Sequence, residues 1–236
     1  MKRLSTFIMI LFILSCETNP DKSNIGIVIH GGAGTILKEN MSAELEKAYR
    51  TKLEEAVKTG YAILKNGGSS RDAVEESIKI MENSPLFNAG VGAVLTNDER
   101  VSLDASFMSG EDLNAGAIAG SSFIKNPISA AIAVMDKSPH VLLSSKGADD
   151  FAIKKGIDTV PNSYFITERR LQSLRKIKES NSISYDDPFI KDSKYGTVGS
   201  VAIDINGNIS AGTSTGGTTN KIWGRIGDVP IIGAGN

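Results

Sequence analysis

The distribution of glycine constrains this chain most, because ten of its 24 glycines lie in the last 41 of its 236 residues. They are interleaved with hydroxyl side chains, most densely at residues 212–219. Glycine adopts the positive-φ conformation that tight turns need. The Asn206-Gly207 pair between two β-branched runs is a strong hairpin signal. We therefore expect a hairpin over residues 198–211, and a run so rich in hydroxyls is unusual for a purely structural segment.

The length and composition indicate one globular domain with an ordinary hydrophobic core. Hydrophobic residues make up 40% and charged residues 22% of the chain, which argues against intrinsic disorder. The formal net charge is −1, so the chain lacks the basic excess of a nucleic-acid-binding protein. No nucleic-acid partner is expected.

Hydrophobic periodicity predicts helices mixed with antiparallel hairpins. A β-branched strand at residues 25–30 precedes a helix at 43–64 that Ser42 caps, and a second helix that Ser70 caps. A hairpin is expected at residues 91–105. Further strands are expected at residues 115–119 and 141–143, further helices at 127–134, 148–155 and 168–179, and a surface linker at 180–194. This order favours a layered α+β fold over a doubly wound sheet.

The single cysteine, Cys16, excludes an intrachain disulfide and ends a segment with export features. Lys2 and Arg3 precede a mostly apolar run at residues 4–14, which is too short to span a bilayer comfortably. Residues 13–16, Ile-Leu-Ser-Cys, are similar to a bacterial lipobox, although an ordinary cleaved signal with an incidental cysteine is the alternative. Because the only cysteine falls here, we expect lipidation of Cys16 and an exported, periplasmic, membrane-attached lipoprotein of a bacterium.

Several familiar active-site patterns match this sequence poorly. The glycine-rich turn at residues 31–35 fits neither a dinucleotide fingerprint nor a Walker motif, so a tight turn is the better interpretation. The two histidines, His30 and His140, do not make a zinc site without an acidic cluster, and no G-x-S-x-G elbow accompanies them. We expect His30 to form a structural hydrogen bond at a strand end and His140 to lie on the surface.

Many hydroxyls without a nearby histidine need another general base. An N-terminal threonine can use its own α-amino group, whose pKa of about 7.7–8.0 suits proton transfer near neutral pH. Thr197 would acquire that amine if the backbone were cut after Gly196, and the polar linker before it would free the new terminus. The residues alone leave two alternatives open, namely cleavage before Thr197 or an uncleaved Gly/Thr hairpin.

Short motifs spread over most of the chain resemble the plant-type asparaginase / isoaspartyl peptidase family of N-terminal nucleophile hydrolases. They occur in family order, and together they are far more specific than any one of them. The matching motifs are Ile29-His30-Gly31-Gly32-Ala33-Gly34, Pro85-Leu86-Phe87-Asn88-Ala89-Gly90-Val91-Gly92, Leu103-Asp104-Ala105, Gly196-Thr197-Val198-Gly199, Thr213-Ser214-Thr215-Gly216-Gly217 and Gly224-Arg225-Ile226-Gly227-Asp228.

The resemblance implies a precursor that cleaves itself between Gly196 and Thr197. The Thr197 hydroxyl would then attack the side-chain amide of asparagine or the isopeptide carbonyl of a β-aspartyl peptide. Water would hydrolyse the resulting β-aspartyl ester. Thr215 matches the second active-site threonine of the family, and Asn88 matches a residue that positions the nucleophile.

The resemblance also assigns the substrate-binding segment at residues 225–228. Arg225 matches the residue that binds the substrate α-carboxylate, for which a planar guanidinium is suited. Asp228 matches the partner of the α-ammonium group, and Ile226 and Gly227 lie between the two. Without the flanking motifs, Arg225 and Asp228 are equally compatible with a surface ion pair.

The segment from Met81 to Val91 resembles the sodium-binding loop of the family, in which main-chain carbonyls hold a structural ion. The expected carbonyl ligands are Met81, Glu82, Ser84, Phe87, Ala89 and Val91. Carbonyl oxygens suit a hard cation, and no organic cofactor is expected. The family continues beyond the position of Asn236 with a second Thr-Gly-Thr-Gly segment that supplies the oxyanion hole. The resemblance therefore predicts that these 236 residues are C-terminally incomplete and that the activity belongs to the complete protein.

The resemblance implies a four-layer αββα sandwich and a dimer of cleaved αβ units that acts on a small-molecule substrate. The expected organisation is a signal peptide at residues 1–15, a tether at 16–24, an α chain at 25–196 and the start of a β chain at 197–236. Two other functions stay open. One is a glycosylasparaginase, and the other is an uncleaved, lipid-anchored protein that binds amino acids without turnover.

Overall fold

The computed structural model describes residues 24–32, 41–179 and 196–236. The predictions for Cys16, for the later part of the glycine-rich turn at residues 31–35 and for the linker at residues 180–194 lie outside these ranges. Within them, no helix combines the length and the apolar character that crossing a membrane would need.

Five α-helices, six strands and one 3-10 turn make up the described residues in chain order. They are β1 (Gly26–His30), α1 (Ala43–Lys65), α2 (Ser70–Glu82), β2 (Leu103–Ser109), β3 (Ala115–Ser121), α3 (Pro127–Lys137), β4 (Leu142–Ser144), α4 (Ser145–Lys154), the 3-10 turn (Asn162–Phe165), α5 (Glu168–Glu179), β5 (Val198–Ile203) and β6 (Ile209–Thr215).

The strands form one sheet in the order β1-β5-β6-β2-β3-β4. Every neighbouring pair is antiparallel except β3 and β4. Helices α2 and α3 pack on one face of this sheet, and α1 packs against α2 and β1. The α+β class is therefore confirmed. The four-layer arrangement stays a prediction, because the described ranges contain one sheet.

The two long N-terminal helices form where the sequence predicts them. Ser42 accepts a hydrogen bond from the Leu45 amide and caps α1, as expected. The prediction for α2 was wrong by one residue, because the cap is Ser69, which accepts from the Asp72 amide. Ser70 is the first helical residue, and its hydroxyl bonds the Ser210 hydroxyl across the sheet instead.

The two predicted hairpins have different outcomes. The hairpin at residues 198–211 is confirmed, since β5 pairs with β6 through a loop in which Gly207 has φ +82°. The hairpin at residues 91–105 was wrong, since only Leu95 and Val101 bridge there. The amides of Val91 and Val94 donate to the Glu82 carbonyl and the Asn88 side chain, so this segment folds into a loop.

Packing of α3 on the sheet depends on small residues beside one aromatic ring. Phe107 of β2 is fully buried and is flanked in register by Gly116 of β3 and Gly212 of β6. A Cβ at Gly116 would lie 2.1 Å from the Ala131 carbonyl oxygen, so only glycine permits this approach of helix to strand. The helix, the two glycines and the ring therefore form one close-packed unit.

We predict that Gly116→Ala lowers the free energy of unfolding by about 1–3 kcal/mol, because the added methyl group forces α3 away from β3. Gly147→Ala is the matched control, since Gly147 lies in α4 and a methyl group added there would have no neighbouring atom within 4 Å. Urea denaturation measures both variants. An unchanged midpoint for Gly116→Ala would contradict the packing argument.

Candidate functional site

The Gly196–Thr197 bond lies where several loops converge. A Cβ on Gly196 would lie 2.6 Å from the Asn88 Cβ and 2.8 Å from its Nδ2, so this position admits only glycine. Gly32, with φ +116°, approaches from the other side, since its Cβ would lie 3.5 Å from the Gly196 Cα. The structure therefore places both residues of the predicted cleavage bond against Asn88 and the end of β1.

His30 holds the backbone on the other side of this bond. Its Nδ1 lies 2.9 Å from the Thr197 carbonyl oxygen, which can only accept, so Nδ1 donates. The predicted structural role of His30 is confirmed, and the group that it contacts is the carbonyl of the predicted nucleophile. His140 is exposed, as predicted.

Asn88 joins the cleavage site to the glycine-rich turn after β6. It is only 4% exposed, and its Nδ2 donates to the Gly217 carbonyl oxygen at 2.8 Å. Its own carbonyl accepts from the Gly216 amide at 3.1 Å. Its Oδ1 accepts from the Val94 amide, so every polar group of the side chain is used in fixing the loop.

Thr215 ends β6 beside the start of β5. Val198 pairs with Ser214 in register, so the next step of this antiparallel register brings Thr197 and Thr215 opposite each other. Thr215 is 3% exposed, and its Oγ1 accepts from the Gly217 amide at 3.0 Å. The two predicted active-site threonines thus belong to neighbouring strands at the same end of the sheet.

Arg225 reaches the same turn, and Asp228 lies three residues further along the chain. The Nη1 of Arg225 would lie 3.1 Å from a Cβ on Gly217 and 3.0 Å from one on Gly227. Both Arg225 and Asp228 are exposed, and no salt bridge joins them in the described part of the chain. The alternative of a surface ion pair is therefore not observed. Ile226 is 43% exposed between them.

The segment from Met81 to Val91 closes on itself. The Val91 amide donates to the Glu82 carbonyl at 2.7 Å, and Gly90 lies so close that its Cβ would be 2.3 Å from the same oxygen. Most of the six predicted carbonyl ligands belong to buried residues, and they are Met81, Glu82, Ser84, Phe87, Ala89 and the half-buried Val91. No group of three or more His, Cys, Asp or Glu side chains that could hold a metal lies within the described ranges.

The Glu82 side chain connects this segment to β6 and α3. It is fully buried, and it accepts hydrogen bonds from the Ser214 hydroxyl at 2.7 Å, the Ile128 amide at 3.0 Å and the Asn126 amide group at 3.0 Å. Burial raises the pKa of the Glu82 carboxyl to about 7, although these three bonds oppose the rise. Glu82 thus fixes the residue next to Thr215.

Two further buried charges border the site, and the sequence analysis gave neither a role. Asp104 lies in β2 directly opposite Thr215 and is fully buried. Lys221 is 7% exposed and donates to the Ser102 carbonyl at 2.8 Å. Burial raises the pKa of Asp104 and lowers that of Lys221, and each charge opposes the shift of the other. A carboxylate inside the apolar run of β2 was the signal that could have drawn attention to it.

This arrangement is suited to nucleophilic chemistry on a small anionic substrate. Two hydroxyls meet at one end of the sheet, and a guanidinium lies on the neighbouring turn. Asn88 and His30 fix the backbone on both sides of the bond that precedes Thr197. Neither histidine is placed as a base for a serine or threonine hydroxyl, because His30 is committed to a backbone carbonyl.

Comparison with known proteins identifies the family. Residues 23–236 match the asparaginase family Asparaginase_2. The isoaspartyl peptidase of Escherichia coli is 45% identical over 212 residues, which are 89% of this chain and 66% of that protein. The putative isoaspartyl peptidase/L-asparaginase of Dictyostelium discoideum is 41% identical over 89% of this chain and 69% of its own length.

The isoaspartyl peptidase/L-asparaginase of Mus musculus is 46% identical over 89% of this chain and 62% of its own length. The chain thus spans about two thirds of the length of the curated relatives that it matches. Since the family match covers nearly the whole sequence and includes every segment of the site, the chain belongs to the asparaginase family Asparaginase_2.

Proposed function

We propose that the full-length protein is an autoprocessing amidohydrolase that cleaves L-asparagine, β-aspartyl dipeptides or both, with Thr197 as the nucleophile. The observation that carries this proposal is the packing of Gly196 against Asn88, with Thr197 entering β5 beside Thr215. Relatives named isoaspartyl peptidase and L-asparaginase support the substrate class.

Cleavage after Gly196 converts Thr197 into an N-terminal residue with its own base. The released α-amine takes the proton of the Thr197 hydroxyl, and the oxygen attacks the side-chain carbonyl of the substrate. The C–N bond then breaks, and the proton passes to the leaving nitrogen, which departs as ammonia or as the amine of the next residue. Water attacks the β-aspartyl ester, releases aspartate and restores the hydroxyl.

The turn after β6 orients the substrate. Arg225 is exposed at Gly217 and has no salt-bridge partner among the described residues, so its guanidinium can bind the α-carboxylate in a bidentate manner. Asp228, three residues later and also exposed, is the proposed partner of the α-ammonium. Thr215 lies opposite Thr197 and is placed to hydrogen-bond near the nucleophile.

We also propose a structural sodium ion in the closed loop from Met81 to Val91. Its fit rests on the approach of Gly90 and Val91 to the Glu82 carbonyl, which curves the backbone into a ring of carbonyl groups. Oxygen donors without a cluster of acidic side chains suit a hard monovalent cation. The ion would brace the loop that presents Asn88.

Lipidation at Cys16, export to the periplasm and assembly as a dimer of cleaved αβ units complete the proposal. Cys16 lies outside the described residues, so its support is the sequence pattern alone. Two acyl chains would give stable membrane attachment, since each buried methylene contributes about 0.8 kcal/mol.

We predict that the full-length protein appears as two fragments whose second begins at Thr197, whereas Thr197→Ala remains one chain. Intact mass and N-terminal sequencing measure this result, and L-asparagine and a β-aspartyl dipeptide are then tested as substrates. A wild-type protein that stays uncut and binds amino acids would favour the binding-protein alternative. Preference for glycosylated asparagine would favour the glycosylasparaginase alternative.

We predict that Arg225→Ala raises KM for L-asparagine by roughly thirtyfold, which corresponds to about 2 kcal/mol. This value is the low end for losing one member of a charge pair, chosen because Arg225 is exposed. Arg175→Ala, at an exposed position of α5, is the matched control and should leave KM unchanged. An unchanged kcat/KM for Arg225→Ala would refute the assigned role.

We predict that radiolabelled palmitate enters the wild type but not Cys16→Ser. If the variant is still processed, it should partition into the soluble periplasmic fraction, because the described residues contain no membrane-spanning helix. Absence of label in the wild type would show that the lipobox interpretation is wrong. Equal membrane retention of the variant would show that the N-terminal segment itself serves as the anchor.

A further inference from the structure

Asp104 is a costly residue for its position. It is fully buried in β2, where its Oδ1 accepts from the Gly120 amide at 2.8 Å. Its Oδ2 has no hydrogen-bond partner among the described residues. A buried carboxylate oxygen without a donor is strongly unfavourable unless nearby cations compensate for it. This position therefore calls for an electrostatic explanation, because packing alone would favour an apolar side chain.

Two cations supply that compensation, and both lie at the turn after β6. The Nζ of Lys221 would be 3.0 Å, and the Nη1 of Arg225 3.1 Å, from a Cβ on Gly217. The charges of Lys221 and Arg225 both stabilise ionised Asp104, and they repel each other. Two like charges that meet at one glycine need an anion nearby to remain there.

The three charges leave an imbalance that a substrate would correct. With Asp104 ionised and both cations protonated, the group carries one net positive charge. Lys221 is nearly buried and committed to the Ser102 carbonyl, whereas Arg225 is exposed. The excess positive charge is therefore presented through the guanidinium of Arg225, where the proposed function places the α-carboxylate.

We propose that Asp104 and Lys221 are positioning residues that direct Arg225 toward the substrate α-carboxylate by neutralising each other beneath the Gly217 turn. This inference rests on the proposed function and deepens it. Lys221 keeps Asp104 from drawing the Arg225 guanidinium inward, and Asp104 keeps Lys221 from repelling it. Because Asp104 pairs with Thr215 in register, the same pair lies beside the second active-site threonine.

The test compares Lys221→Met, Asp104→Asn/Lys221→Met and Lys221→Arg in the full-length protein. Calorimetry gives Kd for L-aspartate, which carries the same α-carboxylate, and kinetics give kcat and KM for L-asparagine. Lys221→Met leaves Arg225 as the only cation facing Asp104, so Kd and KM should rise at least tenfold. The double variant removes both buried charges and should return Kd and KM to within threefold of the wild type. Lys221→Arg should stay within threefold.

The rescue separates positioning from a merely structural role, which predicts that the two substitutions add their damage. A double variant as impaired in Kd as Lys221→Met would overturn the proposal, as would an unchanged Kd for Lys221→Met. If Lys221→Met does not fold, the double variant decides, because it contains no unpaired buried charge. Lys154→Met, at an exposed position of α4, is the control for loss of a lysine.

The outcome is distinguishable from failure of the proposed function. A wild-type protein that binds L-aspartate but shows neither cleavage nor turnover would remove the hydrolase. In that case the Kd pattern across the same variants would still support or refute the charge arrangement.

Discussion

The site depends on one close contact, in which the Asn88 side chain is surrounded by glycines. Gly196 and Gly216 both lie where a Cβ would be within 2.6 Å of an Asn88 atom, and Gly217 accepts a hydrogen bond from its amide group. These contacts bring the end of the glycine-rich turn and the bond before Thr197 to one place. Removing the side chain of Asn88 would separate segments that are more than a hundred residues apart in sequence.

Buried charge is arranged around this contact on both faces of β6. Glu82 accepts from Ser214 on the helix-covered face, whereas Asp104 faces Thr215 from the neighbouring strand. Burial raises the pKa of both carboxyls, so each costs stability that apolar residues would not. Such costs are retained where they fix the geometry of a functional segment, and here both act on the last two residues of β6.

Local patterns predicted much of the fold, and long-range contacts account for the rest. Ser42, the apolar face of α2 and the Asn206-Gly207 turn were predictable because capping, periodicity and turn chemistry act within a few residues. The hairpin at residues 91–105 failed because its amides bond to Glu82 and Asn88, which no local pattern shows. Motifs identified Thr197 and Asn88, but Lys221 and Asp104 acquire a role only when β2 and the turn after β6 meet.

The central claim is that Thr197 forms the covalent intermediate, and one measurement tests it directly. The cleaved full-length protein is mixed with L-asparagine, quenched in acid during steady turnover and digested for peptide mass mapping. The account predicts an aspartyl ester on the peptide that begins with Thr197, and its loss when the substrate is exhausted. An ester on any other residue, or rapid turnover by a protein whose Thr197 is replaced by alanine, would contradict it.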